Sequence, residues 1–436
     1  MKKHIKTIVS LLLASLMLLG VCACTKPGGD PTAEPKADPT EAPNGGQTAF
    51  NMMAVNLSAN VTPSKVEGKA ADQTFIAAQA DFAVRLFQNS LNMQGNTLVS
   101  PLSVMLALAM TANGADGDTL AGMENALGGL TIDELNEYLY TFINTLPDEE
   151  KCRVVPANSI WIRDDFAENV KEAFLRTDAD YYGAPAYRAP FDDTTVADIN
   201  NWVAENTDDM IKKIIDEIGD DTVMYLINAL IFEADWAEKY EEGQVRNAEF
   251  HTYSGGTKTV SMMYSDEFGY INDGRAEGFI KNYAGNKYSF AALLPNADTD
   301  IYDYIGSLTG EKLIAALNGR QNESVSAGLP KFSYDYELLL NNALKAMGMR
   351  QAFDPYGADF KKMSDSQLFI SKVIHKTFIE VAEQGTRAGA VTAVAMDCES
   401  AIMVEHRVIL DRPFVYMIVD NATNLPIFIG AVTDIG

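Results

Sequence analysis

Two patterns of apolar positions divide the folded part of this chain. In its first third, apolar residues recur at helical spacing; beyond Val223 they crowd into strand-like runs. Residues 72–89 place Phe75, Phe82, Leu86 and Phe87 as apolar markers and predict a helix. Ser100-Pro101 opens another, with serine as N-cap and proline in the first turn, closing near Gly114. Thr131-Ile132-Asp133-Glu134 has the capping-box spacing and starts a further helix. Residues 198–215, with Ile199, Trp202, Val203, Met210, Ile211 and Ile214, keep an approximately helical period. Residues 337–347, stopped at Gly348, predict one more. Residues 223–232 (VMYLINALIF) then form a nearly continuous apolar run, which suits a central strand buried on both faces. Residues 251–264 bracket Ser254-Gly255-Gly256 and predict a hairpin. Further strands are expected at 288–294, 325–332, 369–380, 414–419 and 427–432. Helices early and strands late predict an α+β class in one large domain over residues 71–436.

The amino terminus follows neither pattern. Lys2, Lys3 and Lys6 precede an apolar run over residues 8–19 and then small residues, which predicts an export signal over residues 1–23. Val21-Cys22-Ala23-Cys24 resembles the bacterial lipobox, and Cys24 is the expected lipidated residue because Cys22 would leave valine before the cut. Residues 24–70 are rich in Pro, Ala, Thr and Glu, too poor in apolar groups to offset the entropy of ordering. They read as a disordered tether, giving an exported protein anchored to the bacterial envelope and facing the extracellular space.

Composition removes several function classes. Of 436 residues, 47% are hydrophobic, which excludes a disordered chain. A formal charge of −26, from 34 basic and 60 acidic side chains, argues against a nucleic-acid partner. Loss of the three leader lysines would take it to −29. With four cysteines, disulfides cannot hold the fold together; after processing, Cys152 and Cys398 either pair or remain thiols. The four histidines are His4, His251, His375 and His406. No HExxH, Walker A loop, GxSxG elbow or paired CxxC appears, so no metal, cofactor or enzymatic activity is expected.

One stretch stands out, IEVAEQGTRAGAVTAVAMDCESAIM over residues 379–403. Gly385 offers a backbone pivot, and the residues after it are mostly small or β-branched. Every second position from Thr386 gives Thr386, Ala388, Ala390, Thr392, Val394 and Met396, a face able to enter a buried sheet. Arg387 and Asp397 fall on the opposite face. The pattern alone also fits an Ala-rich surface loop or a short helix.

Glu383-Gln384-Gly385-Thr386 with its small run resembles the hinge of the reactive loop in serpins, the serine-protease inhibitor superfamily. Five other segments are similar to the family in the same order: 96–103 with 107–115, 226–236, 329–332, 371–376, and 408–418 with Leu410-Asp411-Arg412-Pro413-Phe414. The resemblance implies three β-sheets, eight to nine helices and an exposed reactive-centre loop at about residues 383–406. It implies a hinge of Glu383, Gly385, Thr386, Ala388 and Ala390, a shutter of Ser100, Ser103, Asn228 and His375, and Trp236 at the breach through which the loop enters. The expected function is a suicide-substrate inhibitor of serine proteases, with cysteine proteases as a further target class. Family spacing puts the reactive bond at Glu399-Ser400, with Met396, Cys398 and Met403 as alternatives. Those side chains, and the lack of Arg or Lys between Asp397 and Glu405, point to elastase-like targets. Fourteen residues from Thr386 to Glu399 would span roughly 46 Å as a strand. A monomer touching the membrane only through its lipid is expected. The alternatives are a non-inhibitory serpin used for binding or chaperoning, and a nutrient-binding lipoprotein, which would need a doubly wound α/β pair.

Overall fold

A computed structural model describes residues 52–387 and 405–435, which form the folded unit of the chain. The expected leader, Cys24 and the expected tether up to residue 51 lie outside the described residues, as do Ala388, Ala390, Met396, Cys398, Glu399, Ser400 and Met403.

Five strands and two helices position the site. Helix α1 is Pro101–Ala112, strand β1 Cys152–Arg163, helix α2 Asp193–Asn206, and strand β2 Met224–Asp235. Strands β3 (Phe332–Leu339), β4 (Lys372–Ala382) and β5 (Gly385–Arg387) follow. The main sheet runs from Val55–Asn56 through Ala186–Ala189, β1, β2, β5 and β4 to β3. β2 is antiparallel to β1 and parallel to β4, while β5 is antiparallel to both β2 and β4.

The apolar run of β2 needs cover on two faces, and it has it. Leu226, Leu230, Phe232 and Ala234 belong to the larger core, in which the wholly buried α1 lies. Tyr225, Ile227 and Ala229, at the alternate positions, pack in a second cluster with Trp161 of β1 and with Ile199, Trp202 and Val203 of α2. Helix α1 starts as its sequence dictates, Ser100 Oγ accepting the Ser103 backbone N–H at 3.2 Å.

A second network of strands contains the loop's return leg, His406–Ile409, paired in parallel with Gln321–Pro330. The three sheets implied by the resemblance appear as two hydrogen-bonded networks among the described residues. The 16-residue strand Thr257–Asn272 joins the last two, pairing with Val245–His251 at one end and Ala276–Asn282 at the other. Ten α-helices are described, one of only four residues, where eight to nine were expected.

Several expected boundaries move, each for a local reason. Residues 198–215 are not one helix: α2 starts at the Asp192 cap and ends at Asn206, because Asp208 and Asp209 take φ of 46° and 59°. Ile211, Ile214 and Ile215 still reach the α2 cluster, so their spacing imitated a helix. Residues 337–339 belong to β3, in which exposed positions alternate with half-buried ones after the buried Phe332, a period of two; only Asn341–Ala346 is helical. The strand expected at 325–332 is two, divided at Lys331. Residues 52–70, assigned to the tether by composition, lie on the folded unit. Val55–Asn56 pairs with Ala186–Ala189, and the buried Ala54 donates its backbone N–H to Asp198 Oδ2 at 2.6 Å. A few well-placed backbone hydrogen bonds hold this stretch although it carries little apolar surface.

Asp198→Ala leaves that buried N–H without its acceptor. It should lower unfolding free energy by about 1–3 kcal/mol, read from the urea midpoint, and release residues 52–56 to limited proteolysis.

Candidate functional site

Where β2 and β4 touch, five polar side chains meet in a buried chain of hydrogen bonds. His375 of β4 sits in register with Asn228 of β2, and Asn228 with Asn158 of β1. His375 Nε2 accepts the backbone N–H of Ser100 at 3.0 Å, which fixes the proton on Nδ1; Nδ1–H then donates to Asn228 Oδ1 at 2.5 Å. Asn228 Nδ2 donates to Asn158 Oδ1 at 3.0 Å. Ser103 Oγ donates to the Ala229 carbonyl at 3.0 Å, and Ser100 Oγ to the Ile427 carbonyl at 2.9 Å. Three strands of the main sheet, α1 and a strand of the second network are thus tied at one point. All four sequence-derived candidates, Ser100, Ser103, Asn228 and His375, come together here. Asn158 escaped sequence reading; its one signal was an amide inside an apolar run, Ile160-Trp161-Ile162 following it. Burial pushes the His375 imidazole down to about 3, so it is neutral at ordinary pH.

Toward their other ends β2 and β4 separate, and a wedge fills the space. Gly385 and Thr386 pair with Asp235 and Ala234 of β2 on one side and with Ala382 and Val381 of β4 on the other. Among the described residues, 229–233 and 376–379 have no ladder partner on the sides that face each other. Gly385 is required: a Cβ there would lie 2.0 Å from the Ala234 carbonyl oxygen. Thr386 points inward and is buried, its Oγ1 2.6 Å from the Tyr283 hydroxyl. That is the face expected from sequence. Tyr283, which sequence reading did not single out, stacks on Trp236 with ring centroids 4.5 Å apart.

Trp236 fastens the wedge. Its indole N–H donates to the Ala382 carbonyl at 2.8 Å and its backbone N–H to the Gln384 carbonyl at 2.9 Å. Glu383 accepts from Tyr240 through its carbonyl at 3.0 Å and from Lys331 Nζ through its carboxylate at 2.8 Å. Burial pulls the Glu383 carboxyl upward, but the Lys331 hydrogen bond, a backbone N–H and the Lys331 charge together leave it below the usual range.

The segment after the wedge returns at His406. This side chain bonds Glu323 Oε2 at 2.6 Å and stacks on Tyr270 at 3.7 Å between centroids. Thr386 and His406 are therefore held in different strand networks. Cys152 is buried, and burial pushes its thiol up to about 11, the wrong direction for a nucleophile.

A family model described as serpin (serine protease inhibitor) matches residues 77–435. The chain belongs to the serpin family. Leukocyte elastase inhibitor A of Mus musculus is 30% identical over 377 residues, 82% of this serpin and 98% of the mouse protein. Serpin B8 of Homo sapiens is 32% identical over 381 residues, covering 81% and 97%. Among solved structures, the thermophilic serpin tengpin in its native state superposes with a TM-score of 0.84 at 47% identity, covering 88% of this chain and all of tengpin. Tengpin in its latent state gives 0.75 at 44% identity. This serpin has the family fold, a mixture of helices and large sheets, and the family is one of protease inhibitors rather than catalysts.

Neutral burial of His375 carries a pH signature. The unfolded imidazole binds a proton below about pH 6.5 and the folded one only near 3, so its contribution is complete above about 6.5. It is lost as pH falls through that window, at about 1.4 kcal/mol per unit. The difference in urea midpoint between the parent serpin and His375→Gln should narrow steadily from pH 6.5 to 4; a constant difference would contradict a ring held neutral by folding. Gly385→Ala should loosen the wedge, read as faster hydrogen exchange at Thr386 and Val381.

Proposed function

We propose that this serpin is a suicide-substrate inhibitor of elastase-like serine proteases, held at a bacterial surface by a lipid on Cys24. The observation that carries the reading is the wedge: Gly385 and Thr386 already occupy the first two positions between β2 and β4, and beyond them the facing edges have no ladder partner among the described residues. The protease serine attacks a loop carbonyl, the C–N bond breaks, and an acyl-enzyme remains on the upstream fragment. That fragment, freed from its downstream leg, continues the course set by Thr386, so Ala388, Ala390, Thr392 and Val394 follow it inward.

The direction of change follows from the edges. One net hydrogen bond per residue gives about 1 kcal/mol, which the backbone ordering cost of about 1–2 kcal/mol per residue can cancel. An inserting strand satisfies two facing edges at once and covers the core beneath, so each ordered residue gains twice in the ladder. For β2 and β4 to part, the contact between His375 and Asn228 must release and reform around the new strand. The shutter role of Ser100, Ser103, Asn228 and His375 is this gating of a strand pair. The hinge role of Glu383, Gly385 and Thr386 is to start insertion in the correct register. Small side chains such as Ala388 and Ala390 pass the gap with little steric cost. Glu399-Ser400 is the bond proposed for attack, with Met396, Cys398 and Met403 as neighbouring alternatives. The leukocyte elastase inhibitor likeness, and the lack of Arg or Lys between Asp397 and Glu405, favour a shallow apolar specificity pocket.

Incubation with an elastase should give an SDS-stable complex and release a C-terminal fragment whose mass identifies the cut. Thr386→Arg should turn inhibition into plain cleavage, since burying an uncompensated guanidinium beside Tyr283 costs several kcal/mol. Simple nicking of the parent chain without complex would refute the inhibitor reading; full inhibition by Thr386→Arg would refute insertion along this face. For the anchor, labelled palmitate should enter the full chain expressed in a bacterial host and be absent from Cys24→Ala.

A further inference from the structure

Among the described residues Lys281 is the one lysine or arginine that is fully buried, its side chain 2% exposed. It follows the buried Gly278-Phe279-Ile280 in the strand Ala276–Asn282, a setting in which a lone ammonium would be costly. Glu267, on the neighbouring strand Thr257–Asn272, supplies the counter-charge. Its Oε1 accepts from Lys281 Nζ at 2.6 Å and lies 2.6 Å from Ser265 Oγ.

The other sides of the ammonium meet the fastening of the wedge. Lys281 Nζ lies over the Tyr240 ring, 4.3 Å from its centroid, and over the Trp236 ring at 5.6 Å. At such distances a cation is drawn to the negative face of an aromatic ring. Ser265 Oγ adds a contact of 3.3 Å to the Tyr240 hydroxyl. Together Trp236 and Tyr240 supply donors to three consecutive carbonyls. The Trp236 indole N–H bonds Ala382, the Tyr240 backbone N–H bonds Glu383, and the Trp236 backbone N–H bonds Gln384. One cation thus lies against both residues that hold the turn between β4 and β5. An apolar side chain could fill the same space, but it would not select the faces of two rings.

We propose that Lys281 is a positioning residue for loop insertion, seating Tyr240 and Trp236 so that residues 382–384 start the inserting strand in a single register. The proposal rests on the inhibitor reading above. Register matters because side chains alternate: a slip of one residue would bring Arg387 to the inward position that Thr386 takes beside Tyr283. Burying that guanidinium is costly, so a slipped strand stalls. Insertion also competes with water for the acyl-enzyme. During a stall, water cleaves the ester, a proton returns to the protease serine, and the nicked chain leaves with a new carboxylate. A turn held by all three of its carbonyls avoids the false start. Fixing register is the best-attested use of a buried charged or polar group, and Lys281 with Glu267 serves it through the two rings.

The test compares the full chain with Lys281→Met/Glu267→Gln, which removes both charges at nearly constant volume, and with Lys281→Arg, which keeps the cation. With an elastase, the ratio of nicked chain to covalent complex should rise about tenfold in the charge-free variant, while the rate constant for attack on the loop stays within about twofold. Hydrogen exchange should quicken at the Trp236 and Tyr240 amides with the melting temperature unchanged, and Lys281→Arg should match the parent in both readouts. An unchanged ratio and unchanged exchange in the charge-free variant would overturn the role, as would Lys281→Arg behaving like that variant. So would a fall in melting temperature with exchange rising across the whole main sheet, which marks a purely structural pair. If the parent itself is nicked without complex, the inhibitor reading fails on its own. Exchange then decides: quickening confined to Trp236 and Tyr240 retains Lys281 as the seat of the turn, and no quickening removes it.

Discussion

One imidazole, held neutral and without access to water, decides how the main sheet is closed. His375 accepts from the backbone N–H of Ser100, the N-cap of α1, and donates to an amide on the neighbouring strand, so it bridges a helix end and two strands at the point where β2 and β4 are still paired. Removing a partner from such a site leaves a buried group unsatisfied, which is more damaging than losing an ordinary surface hydrogen bond. A network of weak, neutral hydrogen bonds also differs from an apolar seam. It specifies one register when closed, yet each member can be handed to a new partner without separating charge.

The opposite end of the same strand pair is built on different physics. Gly385 is admitted because it lacks a side chain, Thr386 because its hydroxyl finds Tyr283, and Trp236 holds the turn through two carbonyls. Polar closure at one end and a backbone wedge at the other leave a middle stretch in which β2 and β4 face each other unpaired among the described residues. Sheets normally hide such edges, because they recruit any extended segment within reach. Here the nearest segment by sequence is the one that follows Thr386.

Much of this was legible in residue order, and the misses share a cause. The apolar run of β2, the serine cap of α1 and the capping box at Thr131 each signal through neighbours in sequence, and each appears where expected. The inward face of Thr386 follows from alternation alone. Asn158 and Tyr283 could not be found in this way, because their roles exist only across strands: Asn158 through register with Asn228, Tyr283 through its stack on Trp236. The spurious extension of α2 arose because Ile211, Ile214 and Ile215 serve one apolar cluster from irregular backbone, and burial without hydrogen-bond geometry looks like a helix in a string of letters. Likewise 337–339 were drawn into a helix by their neighbours, although β3 alternates with period two.

The bond from Ser100 Oγ to the Ile427 carbonyl joins positions 327 residues apart. In a nascent chain emerging from its amino end α1 is made early, but that hydroxyl must wait for the last described strand, Pro426–Val432, to arrive. Contacts of such separation are closed late and slowly, after the entropy of the intervening chain has been surrendered. Maturation is therefore coupled to completion: a polypeptide truncated before Ile427 lacks the keystone of its interior, so premature ends are left open to quality control.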